Sequence, residues 1–177
     1  MKLLSFNCRG LESKPKKLAL KWLLSLLLQE TMGVEEEISH LLKYSFPNYD
    51  CHAVSARVHS GGLVLAWKMK TIKLLNIWDF DSGIGVEFYH ADLNLFFMTI
   101  NIYGPYIKRE SYWNRLKLKS FLKNENLILG GYLHFTLGNS EFWGPKARID
   151  PLSNFFENLL KDQLLVDVHP TKINHLE

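Results

Sequence analysis

The run Gly130-Gly131-Tyr132-Leu133-His134-Phe135 follows an apolar stretch, Leu127-Ile128-Leu129, that reads as a short buried strand ending at a glycine turn. It sets a phenol and an imidazole on one short loop. The phenol of Tyr132 is a neutral O–H donor with a reference pKa of about 10. The imidazole of His134 donates a hydrogen bond and can carry a positive charge. Three other positions could join them. Asn7 closes the first apolar run, Glu30 stands in Leu28-Gln29-Glu30-Thr31, and Tyr103 stands in Asn101-Ile102-Tyr103-Gly104-Pro105. A carboxylate suits a hard divalent cation, which prefers oxygen ligands and keeps several waters. A phenol can donate to a developing oxyanion. Each position also has an ordinary structural reading. Asn at a strand end is a turn former, Glu after a strand is a helix start or a surface charge, and Tyr before Gly-Pro is a core or rim aromatic.

The elements that must position these residues follow from periodicity. Lys2 to Asn7 reads as a buried first strand. Pro15 suits the first turn of a helix running to about Ser25, with Leu18, Trp22 and Leu26 as its apolar stripe. Leu26-Leu27-Leu28 reads as a second strand, and Glu35 to Tyr44 as a helix with its acidic residues in the first turn. Strands are expected at 51–56, 62–68, 72–78, 85–90 and 95–101, then a helix over Arg109–Asn124 whose apolar positions keep no clean register. A helix over Leu152–Lys161 and a strand over Leu165–Val168 complete the pattern. Strands interleaved with helices, with a meander in the middle, indicate an α/β sandwich of two packed sheets with helices outside.

Length, composition and charge bound the class. At 177 residues, with 47% apolar and 13% aromatic residues, the chain is globular and is read as a single domain over 1–177. Two cysteines, Cys8 and Cys51, make no disulfide framework and no paired metal spacing. The apolar run before Asn7 is too short for a signal peptide, and Leu18–Leu28 is too short and interrupted for a membrane span. The expectation is an intracellular protein, nuclear or cytoplasmic and not secreted, with no membrane partner and no protein partner implied. The net charge of +3 is uneven: residues 2–21 and 108–123 each hold six basic residues and one acidic. Such segments suit a polyanion, or are ordinary solvated helix faces.

Taken in order, these motifs resemble the exonuclease–endonuclease–phosphatase superfamily, and within it the apurinic-type endonuclease domain of plant non-LTR retrotransposons. The resemblance implies a two-sheet α/β sandwich and Mg²⁺-dependent hydrolysis of phosphodiesters, with DNA as partner through the basic segments 2–21 and 108–123. Glu30 matches the family's metal-binding carboxylate, and Asn7 the asparagine beside the metal. Tyr103 matches the tyrosine of the Asn-x-Tyr-x-Pro element, which hydrogen-bonds the phosphate region. The family's Gly-Asp-x-Asn loop falls on 131–134, so Tyr132 stands in the place of the water-positioning Asp and His134 in that of the phosphate-holding Asn.

The departures matter as much as the matches. A neutral phenol does not replace the aspartate, whereas His134 can still donate to phosphate. The family's domain closes with a Ser-Asp-His element. This chain ends Asn174-His175-Leu176-Glu177, and Asp167-x-His169 matches a mid-domain strand instead. Trp22–Gln29 also runs helix into strand with almost no connecting loop. The sequence therefore reads as a degenerate sandwich, incomplete at the C-terminus and catalytically impaired. The alternatives are a non-catalytic nucleic-acid binder or an inert retrotransposon-derived fragment. Ser60-Gly61-Gly62 is taken as a hairpin turn without a catalytic role. Asn7, Glu30, Tyr103 and His134 are expected to converge on one rim of the sandwich.

Overall fold

A computed structural model describes residues 3–7, 25–55, 61–138, 141 and 149–168. The helix expected from Pro15, most of the basic segment 2–21 and the chain's last nine residues lie outside these. The described residues fall into two compact units, one reaching to Arg109 and including Asn124–His134, the other comprising Glu110–Lys123 and residues from Phe135 onward.

The first unit is built on two four-stranded sheets. One sheet contains β1 (Leu3–Asn7), β2 (Ser25–Gln29), β3 (Tyr49–Val54) and β4 (Leu63–Lys68), in the order β1-β2-β4-β3. The second contains β5 (Ile72–Phe80), β6 (Gly83–His90), β7 (Leu95–Tyr103) and β8 (Leu127–Tyr132), in chain order. β1 and β2 are parallel, as are β7 and β8; every other pairing is antiparallel. The strands expected from Lys2 through Leu129 are therefore present, most of them shifted or extended by one or two residues.

Burial explains the placement. β4 is central in its sheet and buried on both faces, which is why Leu63-Val64-Leu65-Ala66-Trp67 reads as a continuous apolar run. Leu63, Leu65 and Trp67 pack with Leu27 against Ile84, Val86, Phe88 and Phe97 of the second sheet. The alternate residues Val64 and Ala66 join Leu26, Leu28 and Ala53 on the opposite face, under helix α1 (Glu35–Ser45). That helix buries Ile38 and Leu42, four residues apart and so on one stripe. Its N-cap residue, Val34, offers no side-chain cap, and Ser55 Oγ instead accepts from the Glu35 amide at 3.0 Å. At the edge strands, His52 Nε2 meets Asp79 Oδ1 at 2.8 Å and links β3 to β5.

The second unit contains helix α2 (Arg109–Lys117, its first residue belonging to the first unit), a 3₁₀ turn at Ser120–Lys123, and helix α3 (Ser153–Asp162). The single helix expected over Arg109–Asn124 is thus broken. Trp113 and Leu116 are buried on one stripe, but Leu118 is exposed and Leu122 is buried, so a continued α-helix could not keep its apolar face inward. Trp113, Phe135 and Phe156 form an aromatic cluster in which Phe135 and Phe156 stack at 4.0 Å. The strand expected at Leu165–Val168 is irregular, with Val166 and Val168 exposed. Its β-branched residues favour a strand only where a sheet edge pairs with them. Among the described residues no helix is long and apolar enough to cross a membrane, which says nothing of spanning strands.

Candidate functional site at the rim of the sandwich

Four strands end together. Asn7 is the last residue of β1 and lies in register with Gln29, the last of β2 and the neighbour of Glu30. Tyr103 is the last residue of β7 and lies in register with Tyr132, the last of β8. Parallel pairing within each sheet brings all four chain ends to one side. Gly130 lets the sheets close there: a Cβ on it would come within 2.5 Å of Leu27 Cδ1 and 3.6 Å of Ser5 Cβ on the facing strands.

A polar bracket buried beneath the rim ties the sheets together. Gln29 Nε2 donates to Asn101 Oδ1 at 2.8 Å and to the Leu27 carbonyl at 2.9 Å. Asn101 Nδ2 donates to the carbonyls of Leu28 and Val64 at 3.1 and 2.8 Å. Both residues are buried, and their inward position follows from strand alternation with Leu27 and Thr99. Nearer the rim, Tyr103 Oη donates to Glu30 Oε1 at 3.1 Å, a second bond between the sheets.

Glu30 has φ +53°, in the left-handed region, and its loop is held by backbone bonds from Met32 N to Gly61 O at 2.7 Å and Thr31 N to Gly62 O at 3.4 Å. A Cβ at Gly61 would lie 2.7 Å from Glu30 Cα, so only glycine lets the two loops approach this closely. The sequence reading gave Gly61-Gly62 no catalytic role. The structure makes these glycines the support that seats Glu30.

His134 stands at the centre of an aromatic group. Its ring lies 4.3 Å from that of Tyr132, 5.1 Å from Tyr103 and 5.8 Å from Tyr106, each in edge-to-face contact. Its φ of +57° is a conformation that Asn and His adopt more readily than most residues. Arg109 Nη1 donates to the His134 carbonyl at 2.7 Å and fixes the loop. Tyr106 had no assigned role in the sequence and Arg109 only its place in the basic segment 108–123; the signal available for the rim was their position just beyond Asn101-x-Tyr103-x-Pro105.

Burial lowers the His134 pKa, opposed by a hydrogen bond to the Pro105 backbone and by Glu30, and assisted by the Arg109 charge. The imidazole is therefore neutral at pH 7 and acts as a donor, not as a cation. Burial raises the Tyr103 pKa, and its bond to Glu30 raises it further, because ionisation would place a phenolate beside a carboxylate. The structure thus brings Glu30, Tyr103, Tyr132 and His134 into one connected group, with Asn7 on the strand beside Glu30.

No protein-family sequence model and no curated protein sequence matches the chain. Solved structures do. The endonuclease domain of TRAS1, a telomere-specific non-LTR retrotransposon, superposes with a TM-score of 0.64 at 17% identity, over 92% of this chain and 71% of its own. The catalytic domain of Xenopus laevis APE2 gives 0.59 at 15% identity, over 93% and 66%. An endonuclease/exonuclease/phosphatase family protein from Bacteroides thetaiotaomicron gives 0.56 at 13% identity, over 76% and 62%. The chain spans less than two thirds of the last of these, and 46% of the 2′,3′-cyclic phosphatase ANGEL2. The chain has the fold of the endonuclease/exonuclease/phosphatase superfamily.

Proposed function

We propose that this chain is, by descent, a metal-dependent phosphodiesterase domain of the DNA-endonuclease kind carried by non-LTR retrotransposons, with its hydrolytic step impaired. One observation carries the reading. Tyr132, which the resemblance aligns with a water-orienting carboxylate, lies beside Tyr103 at the strand end in contact with His134, and this supports the reading.

The donor chemistry fits Mg²⁺. Among the described residues no group of three or more His, Cys, Asp and Glu side chains could hold a metal. A hard cation that keeps most of its water shell needs only one or two protein oxygens, and Glu30 with the Asn7 amide offers them. When bound there, Mg²⁺ would neutralise phosphate charge. The chain's own residues supply the rest. Tyr103 holds the Glu30 carboxylate in place. His134 lines the site with its loop fixed through its carbonyl by Arg109; its one neutral N–H is taken by the Pro105 carbonyl, so it donates to a phosphate oxygen only in the protonated form. Tyr132 closes the space from which water would be directed.

Supercoiled plasmid incubated with the protein and Mg²⁺ tests this. Nicking at background is expected, because loss of an acid–base group typically costs about 10²–10⁴-fold. Nicking that EDTA and Glu30→Ala both abolish would overturn the impairment.

Binding without hydrolysis is the second reading. It draws support from the exposed cations of the segment 108–123, although Arg109 is engaged with His134 and Lys117 with Asp162. Affinity for duplex DNA that falls steeply with salt would support it.

A further inference from the structure

Replacing a carboxylate by tyrosine does more than remove a charge. It adds an aromatic face to a rim that already presents one. Tyr132 is 42% exposed and Tyr106 is 84% exposed. Both rings stand nearly perpendicular to the intervening His134 imidazole, at 87° and 88°. Ile107, 71% exposed, and the exposed Lys108 follow Tyr106, and Arg109 lies against the His134 carbonyl.

We infer that the rim binds single-stranded nucleic acid by stacking unpaired bases on Tyr132 and Tyr106, with Lys108 meeting the phosphates. This rests on the reading of the rim as a phosphodiester site and names the form of its partner. Exposed phenols beside an exposed lysine combine stacking faces with cationic charge, which is how sequence-tolerant single-strand sites are built. Duplex bases are stacked on one another and cannot offer their faces to a side chain, so the same rings select against the duplex. Exposed Lys108 supplies the charge that meets the phosphates.

The test uses end-labelled oligothymidylate, an abasic oligomer with the same backbone and length, and a duplex of that length, titrated with the unmodified protein at low salt. Oligothymidylate is expected to bind about five- to hundredfold more tightly than the abasic oligomer, the worth of one or two stacked bases. Tyr132→Ala and Tyr106→Ala should each remove much of that difference, and Tyr132→Phe, which keeps the ring, should retain it. Equal affinity for the base-bearing and abasic oligomers would overturn the stacking role while leaving a phosphate-binding rim intact. Preference for the duplex would overturn single-strand selection. Failure to bind any of the three would overturn both this inference and the phosphodiester reading beneath it.

Discussion

Gln29 and Asn101, from opposite sheets, share a 2.8 Å hydrogen bond in the closed interior of the sandwich, Gln29 as the last residue of its strand and Asn101 two residues before the end of its own. Because the amide of each is also committed to backbone carbonyls, the pair fixes how far the sheets stand apart where Glu30 and Tyr103 must meet. Replacing Asn101 by Leu leaves the Gln29 amide without that partner, a loss expected to cost about 1–3 kcal/mol. Urea unfolding should show the midpoint falling with little change in slope. Gln29→Leu combined with Asn101→Leu should cost less than the two single losses together, because apolar groups then face each other.

Gly131 is expected to be the least replaceable glycine of the rim. Its φ is +135°, and a Cβ there would stand 1.9 Å from the Ile102 carbonyl oxygen of the paired strand. Backbone cannot yield as a side chain can, so Gly131→Ala should destabilise by about 3 kcal/mol or more. Gly33→Ala is the control. Its Cβ meets only the end of the Ile38 side chain, at 2.9 Å, and its melting temperature should stay much nearer that of the unmodified protein.

The bond from Tyr103 to Glu30 can be read from the ionisation of the phenol. Burial and the carboxylate both raise the Tyr103 pKa, so it should ionise above an ordinary tyrosine. Glu30→Gln removes the charge but leaves the burial, and the titration of Tyr103, followed by NMR of the ring, should move part of the way down. An unchanged titration would mean that the hydrogen bond does not persist in solution.

Much of this was legible because local pattern and global fold agree. β4 announced itself as an apolar run, and α1 by the acidic residues of its first turn. The rim residues were found by order along the chain, and parallel pairing of β1 with β2 and of β7 with β8 turns that order into proximity. The bracket was not legible as such. Gln29 and Asn101 are ordinary polar residues until the sheets face each other, and nothing local says that one amide will satisfy the other. Gly61 looked like a plain turn because its close approach to Glu30 joins residues thirty-one positions apart. The false strand at Leu165–Val168 had the right composition, but composition cannot supply an edge to pair with.

The lowered His134 pKa gives stability a definite pH dependence. Between the ordinary value of 6.5 and the lower folded value, the unfolded chain binds a proton that the folded one does not. Stability from this residue is therefore present above pH 6.5 and is lost as pH falls through that window. His134→Asn removes the titrating group and, because Asn tolerates the left-handed conformation, adds little strain. Chemical unfolding of both proteins across pH 5–7.5 should give a shallower loss in the variant, the difference staying below the ~1.4 kcal/mol per pH unit that one proton sets as a ceiling. A variant slope equal to that of the unmodified protein would place His134 in water.

Tyr132→Asp separates cation binding from catalysis. The substitution puts a second carboxylate at the strand end beside Tyr103, whose hydroxyl already holds Glu30. One more negative charge near a divalent ion at a solvated rim is worth on the order of 1–2 kcal/mol, so Mg²⁺ should bind about tenfold more tightly. Calorimetric titration of both proteins measures this directly. Plasmid nicking should stay at background even so, because catalytic groups act as a unit and restoring one recovers little. The same change removes the exposed ring, so the preference for oligothymidylate over its abasic counterpart should fall as Mg²⁺ affinity rises. Nicking restored by Tyr132→Asp alone would show that this one phenol was the whole defect.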